Sequence, residues 1–294
     1  MHAPPSSQFV LVTPLLVVCG CADGASAERY ETEAGAIVCG AAADDYPEAV
    51  LVDMEIAGEL VAACTGALIA PRVVLTAGHC VHGYDGWQIT APAVMAHRTA
   101  ASAMVYDWDV EGTQVAADRH DVGLVFLKKA VALPSYPDLA AGPLGADQRV
   151  RNIGRVHDGA LTDRLFVGAA LAVELGDEYG YPLSYVAKRR IEQGDSGGPA
   201  VIAKDAQHTI AAVNSGGGEL EVLARVDLIR DWIVAQLDGG PTLTCAHDAC
   251  ATGAKLAKSC SPCAAAVCEA DPYCCAATWD EQCAQEALEA CGCE

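Results

Sequence analysis

Cysteine is distributed very unevenly along this chain of 294 residues. Ten of its 15 cysteines lie between Cys245 and Cys293, so about a fifth of residues 241–294 are cysteine. A segment this rich in cysteine is typical of a secreted module that is held together by disulfides. We expect five internal disulfides in it. The alternative is a zinc site, because Cys260 and Cys263 have the spacing of half a ligand set.

The charge of the chain excludes one class of partner. The sequence has 18 Lys and Arg against 39 Asp and Glu, which gives a formal net charge of −21. Phosphate backbones repel a protein of this charge, so we expect no nucleic-acid partner. The 52% hydrophobic content is sufficient for a folded core. No feature of the sequence predicts an oligomeric state.

The first residues indicate export. Residues 9–18 form an apolar run that is too short to span a bilayer but suits the core of a signal peptide. Two endings stay open: ordinary cleavage after Ala27, or a lipoprotein signal with a lipid on Cys21. We therefore expect a secreted, periplasmic or cell-surface protein, whose only membrane contact is that lipid. Residues 1–27 are the signal, and residues 28–36 are a short acidic leader or propeptide.

Short apolar runs alternate with clusters of Gly, Pro and Asp from Ile37 onwards. This spacing predicts an all-β sandwich or barrel. The runs span residues 72–76, 121–127, 165–173, 200–203 and 210–213. One helix is predicted from a stripe of apolar residues, which are Val226, Ile229, Trp232, Ile233 and Leu237. Because Gly239, Gly240 and Pro241 end this helix, we expect one domain over residues 37–240 and a Cys-rich module over residues 241–294.

Three short motifs contain chemically reactive residues. They are LTAGHC at residues 75–80, HDVGL at residues 120–124 and GDSGGP at residues 194–199. A serine hydroxyl is a poor nucleophile until a neighbouring imidazole accepts its proton, and a buried carboxylate must orient that imidazole. His79, Asp121 and Ser196 provide these three groups, one in each motif.

With these motifs in this order, the sequence from Ile37 to about Leu237 resembles the trypsin/chymotrypsin-type serine proteases. The resemblance implies two six-stranded antiparallel β-barrels with a C-terminal helix, followed here by the small disulfide-rich tail. It implies a serine endopeptidase that cleaves proteins or peptides through an acyl-enzyme, without a cofactor or metal ion. His79 is then the general base, Asp121 its orienting partner and Ser196 the nucleophile. A catalytically inactive surface binding protein on the same fold is the alternative.

The resemblance also implies several supporting residues. The backbone N–H groups of Gly194 and Ser196 form the oxyanion hole. A disulfide between Cys64 and Cys80 brackets the histidine loop.

Activation of a zymogen follows from the same resemblance. Ile37 resembles the mature N-terminus of the family, whose amine pairs with the acid before the nucleophile, here Asp195. We therefore expect cleavage between Ala36 and Ile37. The alternative is that Ile37 only begins a strand and that no zymogen exists.

Substrate recognition is expected at two places. Ser215, Gly216 and Gly217 occupy the positions at which the family binds an extended substrate strand. The resemblance implies that Arg190 lies at the floor of the specificity pocket and Glu221 near its back wall, so trypsin-like cleavage after Lys or Arg is not expected from Arg190. Arg190 either binds an acidic P1 side chain, or pairs with Glu221 and favours a small P1 residue, or points to solvent. We favour the small P1 residue.

Overall fold

The computed structural model describes residues 40–110, 115–188, 191–204, 207–237, 247–256 and 262–291. Several of the predictions above lie outside these residues. They concern the signal at residues 1–27, the leader at residues 28–36, Ile37, Arg190 and three cysteines of the tail, Cys245, Cys260 and Cys293.

Strands dominate the described residues. The strands are β1 (Ala41–Ala42), β2 (Ala49–Ile56), β3 (Glu59–Ala70), β4 (Val73–Thr76), β5 (Gly86–Ala91), β6 (Ala96–Val105), β7 (Gly123–Leu127), β8 (Asp138–Leu139), β9 (Arg149–His157), β10 (Ala160–Val167), β11 (Leu171–Ala172), β12 (Glu174–Leu175), β13 (Ser184–Lys188), β14 (Pro199–Lys204), β15 (Gln207–Gly217), β16 (Leu220–Arg225), β17 (Gly253–Ala254) and β18 (Thr278–Trp279). The helices are α1 (Arg230–Val234), α2 (Pro262–Ala270), α3 (Tyr273–Ala276) and α4 (Glu281–Cys291), with 3₁₀ turns at Gly78–Cys80, Pro92–Val94, Gly176–Tyr179 and Asp227–Ile229.

The first half of the chain forms a closed six-stranded barrel. The strands follow one another around it in the order β2-β3-β4-β7-β6-β5. Every residue of β4 and β7 is buried, which explains why these two strands are continuous apolar runs rather than alternating ones. Leu68, Leu75, Ile89 and Leu124 are among the fully buried side chains that fill the barrel.

The second half of the chain forms a ten-stranded sheet. Four of its strands, β1, β8, β11 and β12, have only two residues each. The six longer strands pair antiparallel in the order β10-β9-β14-β15-β16-β13, whereas β8 pairs with β15 in parallel. The all-β class is therefore confirmed, and four two-residue strands are added to the second set of six.

Two local predictions can be compared with these elements. The apolar stripe that begins at Val226 forms a 3₁₀ turn followed by the five-residue helix α1, in which Ile233 is fully buried. The run at residues 165–173 was expected as one strand but is divided between β10 and β11. The break follows Val167, where the N–H of Gly168 donates to the carbonyl oxygen of Asn152 at 2.9 Å.

The tail has a small core of its own. Trp279 is fully buried in it, and its ring N–H donates to the Ala249 carbonyl oxygen at 2.7 Å. Three disulfides cross-link the helices, which confirms a disulfide-rich tail: Cys263–Cys291, Cys268–Cys275 and Cys274–Cys283. Cys250 is also disulfide-bonded. Because Cys263 is in a disulfide, the zinc interpretation is wrong for that residue.

Each of the described helices is too short or too polar to cross a bilayer.

Candidate active site

His79 and Asp121 meet at one end of the first barrel. His79 lies in the 3₁₀ turn directly after β4, and Asp121 lies just before β7. These strands are antiparallel neighbours, with Thr76 opposite Gly123, so the pairing brings the two side chains together. The Cys64–Cys80 disulfide links the histidine turn to β3.

The carboxylate of Asp121 accepts three hydrogen bonds. The backbone N–H of His79 donates to Oδ1 at 2.8 Å, and His79 Nδ1 lies 2.7 Å from Oδ2. The hydroxyl of Ser215 also donates to Oδ2, at 2.6 Å. A carboxylate can only accept hydrogen bonds, so Nδ1 of His79 carries a proton and Nε2 of a neutral ring is left as an acceptor. Both side chains are at least 95% buried.

Ser196 lies in the loop that precedes β14. The first barrel holds this loop through Thr65, whose N–H donates to the Ser196 carbonyl oxygen at 2.7 Å and whose hydroxyl donates to the Gly194 carbonyl oxygen at 2.9 Å. Gly194 and Gly197 have φ values of +115° and +80°, which strongly favour glycine. Ser196 and His79 both line one cavity of about 620 Å³.

Two backbone donors in the loop that holds Ser196 have no internal partner among the described residues. Within the described ranges, neither the Gly194 N–H nor the Ser196 N–H donates to another protein atom. Paired backbone N–H groups of this kind can bind an oxyanion.

Asp195 is fully buried beside the nucleophile loop. Its carboxylate accepts the N–H of Val156 at 2.8 Å and the N–H of Glu192 at 2.9 Å. Burial raises the pKa of Asp195 to about 6, against the opposing effect of these backbone donors. Ile37 lies outside the described residues, so the ion pair between its amine and Asp195 stays a prediction.

A second cavity, of about 230 Å³, lies beside Ser196. Four of the predicted recognition residues line it, namely Ser215, Gly216, Gly217 and Glu221. Glu221 is fully buried and accepts a hydrogen bond from the amide of Asn152. The structure therefore brings these four residues together with Ser196. Because Arg190 is outside the described residues, its pairing with Glu221 stays a prediction.

Two residues near the site, Trp108 and Thr65, were missed by the sequence reasoning. Trp108 is 98% buried, with its ring centroid 6.2 Å from that of His79, and it is part of no recognisable motif. Thr65 had one weak signal, its position next to Cys64. Asp107 is an alternative to Asp121 by sequence, but its carboxylate lies 2.8 Å from both N and Nδ1 of His120.

Two family models match the sequence. Residues 37–156 match the family described as Trypsin. Residues 243–294 match a family described as a domain of unknown function, DUF8252.

Individual relatives agree with the first match. The chain is similar to chymotrypsin of Phaedon cochleariae, with 27% identity over 202 residues, 60% of this chain and 73% of that protein. The structure is similar to that of HL collagenase, with a TM-score of 0.56, 18% identity and coverage of 67% of this chain and 95% of the other. For mouse neuropsin, a serine protease, the TM-score is 0.55 and the identity 19%, over 67% and 98% of the two chains. These structures share the fold of the present chain.

Proposed function

We propose that this protein is a serine endopeptidase that hydrolyses peptide bonds through an acyl-enzyme, since residues 37–156 match the family described as Trypsin. One observation carries the proposal: His79, which is paired with the buried carboxylate of Asp121, lines the same cavity as Ser196. The proposed general base and nucleophile therefore border one space in which a substrate could bind.

In the proposed mechanism, His79 Nε2 accepts the hydroxyl proton of Ser196 as the oxygen attacks the substrate carbonyl. Asp121 keeps the ring in the required tautomer and stabilises it when it becomes charged. The N–H groups of Gly194 and Ser196 bind the oxyanion that forms. His79 then returns the proton to the leaving amine, and water hydrolyses the acyl-enzyme by the reverse route.

We propose that the substrate binds as an extended strand along Ser215, Gly216 and Gly217, with its P1 side chain in the 230 Å³ cavity. Pairing of Arg190 with Glu221 would leave a small, neutral pocket, so we expect a small P1 residue. An acidic P1 residue is the competing preference, and it requires Arg190 to face the substrate.

We further propose that the protein is exported and made as a zymogen. The disulfides of both the barrel and the tail support export, since such bonds persist in oxidising compartments. Cleavage before Ile37 would free an amine for the buried carboxylate of Asp195. N-terminal sequencing of the active form is expected to begin at Ile37.

A fluorophosphonate probe tests the proposed activity directly. We expect the processed protein to be labelled on Ser196 and to cleave casein or a peptide mixture. Ser196→Ala should abolish labelling and lower kcat by several orders of magnitude. The matched control is Ser135→Ala, at an exposed serine, which should change neither. A processed protein that neither reacts nor cleaves would favour the inactive binding protein instead.

A further inference from the structure

The cavity of about 620 Å³ is distinct from the cavity of about 230 Å³ proposed for the P1 side chain, which we call the P1 cavity. Ser196 lines both cavities, but only the larger one is lined by His79. In the proposed reaction His79 gives its proton to the leaving amine. The larger cavity therefore faces the residues that follow the scissile bond, and we call it the leaving-group cavity.

Three charged side chains line the leaving-group cavity: Asp53, Arg155 and Asp163. The Arg155 side chain is only 3% exposed, and its guanidinium donates to both carboxylates and to the carbonyl oxygens of Cys64 and Thr162. The side chains of Asp53 and Asp163 are 26% and 98% exposed. One buried cation thus faces two carboxylates that remain open to solvent, which leaves the cavity with a net negative charge.

Apolar side chains form other parts of the wall. Leu60, Val61 and Leu161 each line the cavity and are more than half exposed. Leu161 lies against Gly194, since a Cβ built on Gly194 would be 2.5 Å from its Cδ1 atom. Exposed apolar groups at this place can contact a substrate side chain that passes over them.

We propose that the leaving-group cavity binds a Lys or Arg side chain among the first residues after the scissile bond. The aliphatic stem of such a side chain packs on Leu161 and Val61, and its cationic end reaches the carboxylates of Asp163 and Asp53. Arg155 cannot bind an acidic substrate side chain as an ion-pair partner, because its guanidinium is buried and already donates to protein acceptors. This inference rests on the proposed function and adds a substrate class to it.

The test is a peptide library that varies the three positions after the scissile bond, with norleucine and Glu as the neutral and acidic alternatives to Lys. We expect kcat/KM to be about two- to fivefold higher for Lys than for norleucine, and lower still for Glu. Asp163→Asn should remove most of the advantage of Lys over norleucine. The matched control, Asp158→Asn, removes one charge from the β9–β10 turn, away from the cavity, and should keep it.

A binding measurement separates this inference from the proposed function. The same peptides, labelled and added to the Ser196→Ala full chain, report affinity without catalysis. Tighter binding of the Lys peptide that Asp163→Asn weakens supports the inference even if the wild type cleaves nothing. Equal affinity for Lys, norleucine and Glu peptides, or a preference unchanged in Asp163→Asn, overturns it.

Discussion

Two buried aspartates, one in each half of the site, have very different surroundings. Asp121, at the end of the first barrel, accepts hydrogen bonds from an imidazole, a hydroxyl and a backbone N–H. Asp195, in the nucleophile loop, accepts only backbone N–H groups among the described residues, and its pKa is raised to about 6. The first carboxylate is satisfied by folding alone. The second is a buried anion without a cation there, which is the situation that the proposed activation step would relieve.

We expect the largest effect on kcat from a substitution of Asp121. Asp121→Asn keeps the shape of the side chain but places an amide where His79 Nδ1 needs an acceptor, so the ring loses its tautomer and its charge stabilisation. We expect kcat of the processed protein to fall by about 10⁴, the size of effect known for such a substitution in serine proteases. Steady-state kinetics on one peptide substrate would measure it.

The control for this substitution is Asp107→Asn. The Asp107 carboxylate bonds to N and Nδ1 of His120, the residue before Asp121, and among the described residues it has no hydrogen bond to His79. It should therefore lower kcat far less. If Asp121→Asn retained more than a tenth of the wild-type kcat, the assigned role of Asp121 would be wrong.

We expect the buried carboxylate of Asp195 to make the free energy of unfolding depend on pH. In the uncleaved chain, burial raises the folded-state pKa of Asp195 to about 6, above the ordinary aspartate pKa of 3.8. The folded state then binds more protons than the unfolded state between about pH 4 and 6, so stability falls as the pH rises through this window. Asp195→Asn lacks this titration, and its free energy of unfolding should improve relative to wild type by about 2 kcal/mol from pH 4 to pH 7.

Denaturant unfolding at several pH values measures this difference, with Ser196→Ala as the background that prevents self-cleavage. The control is Asp44→Asn, at an exposed aspartate, for which the difference from wild type should not change with pH. After cleavage before Ile37 the trend should reverse, because the new amine stabilises the ionised carboxylate. A pH-independent difference in the uncleaved chain would contradict the contrast between Asp121 and Asp195.

Local patterns in the sequence predicted much of the fold. The apolar runs at residues 72–76 and 121–127 contain β4 and β7, and those at 200–203 and 210–213 lie within β14 and β15. These strands are buried, so composition alone reveals them. The two-residue strands of the second sheet cannot be recognised in the sequence, because two residues are too few to show an apolar run or an alternating pattern.

The contacts between the first barrel and the second sheet could not be predicted from local patterns in the sequence. Arg155 bonds to Asp53 across 102 positions, and Thr65 bonds to Gly194 across 129. Such pairs depend on the strand register of both halves at once, which no short motif encodes. The motifs of His79, Asp121 and Ser196 could be recognised because each is a short stretch of sequence. The residues that hold these motifs together are far apart in the sequence and could not be recognised.

We expect the smallest effect on kcat from a substitution of Thr65. This residue of the first barrel bonds to Gly194, in the loop that contains Asp195. Thr65→Val keeps the volume but removes the hydroxyl that donates to the buried Gly194 carbonyl oxygen. An unsatisfied buried carbonyl costs about 1–3 kcal/mol, so the free energy of unfolding should fall by that amount. The peptide unit of Gly194 is also released next to the proposed oxyanion hole, so kcat should fall by less than about tenfold with little change in KM.

Thr99→Val, which removes an exposed hydroxyl bonded to Gln88, is the control and should shift stability by no more than about 0.5 kcal/mol. Loss of stability with an unchanged kcat would mean that Thr65 only supports the fold and does not position the nucleophile loop.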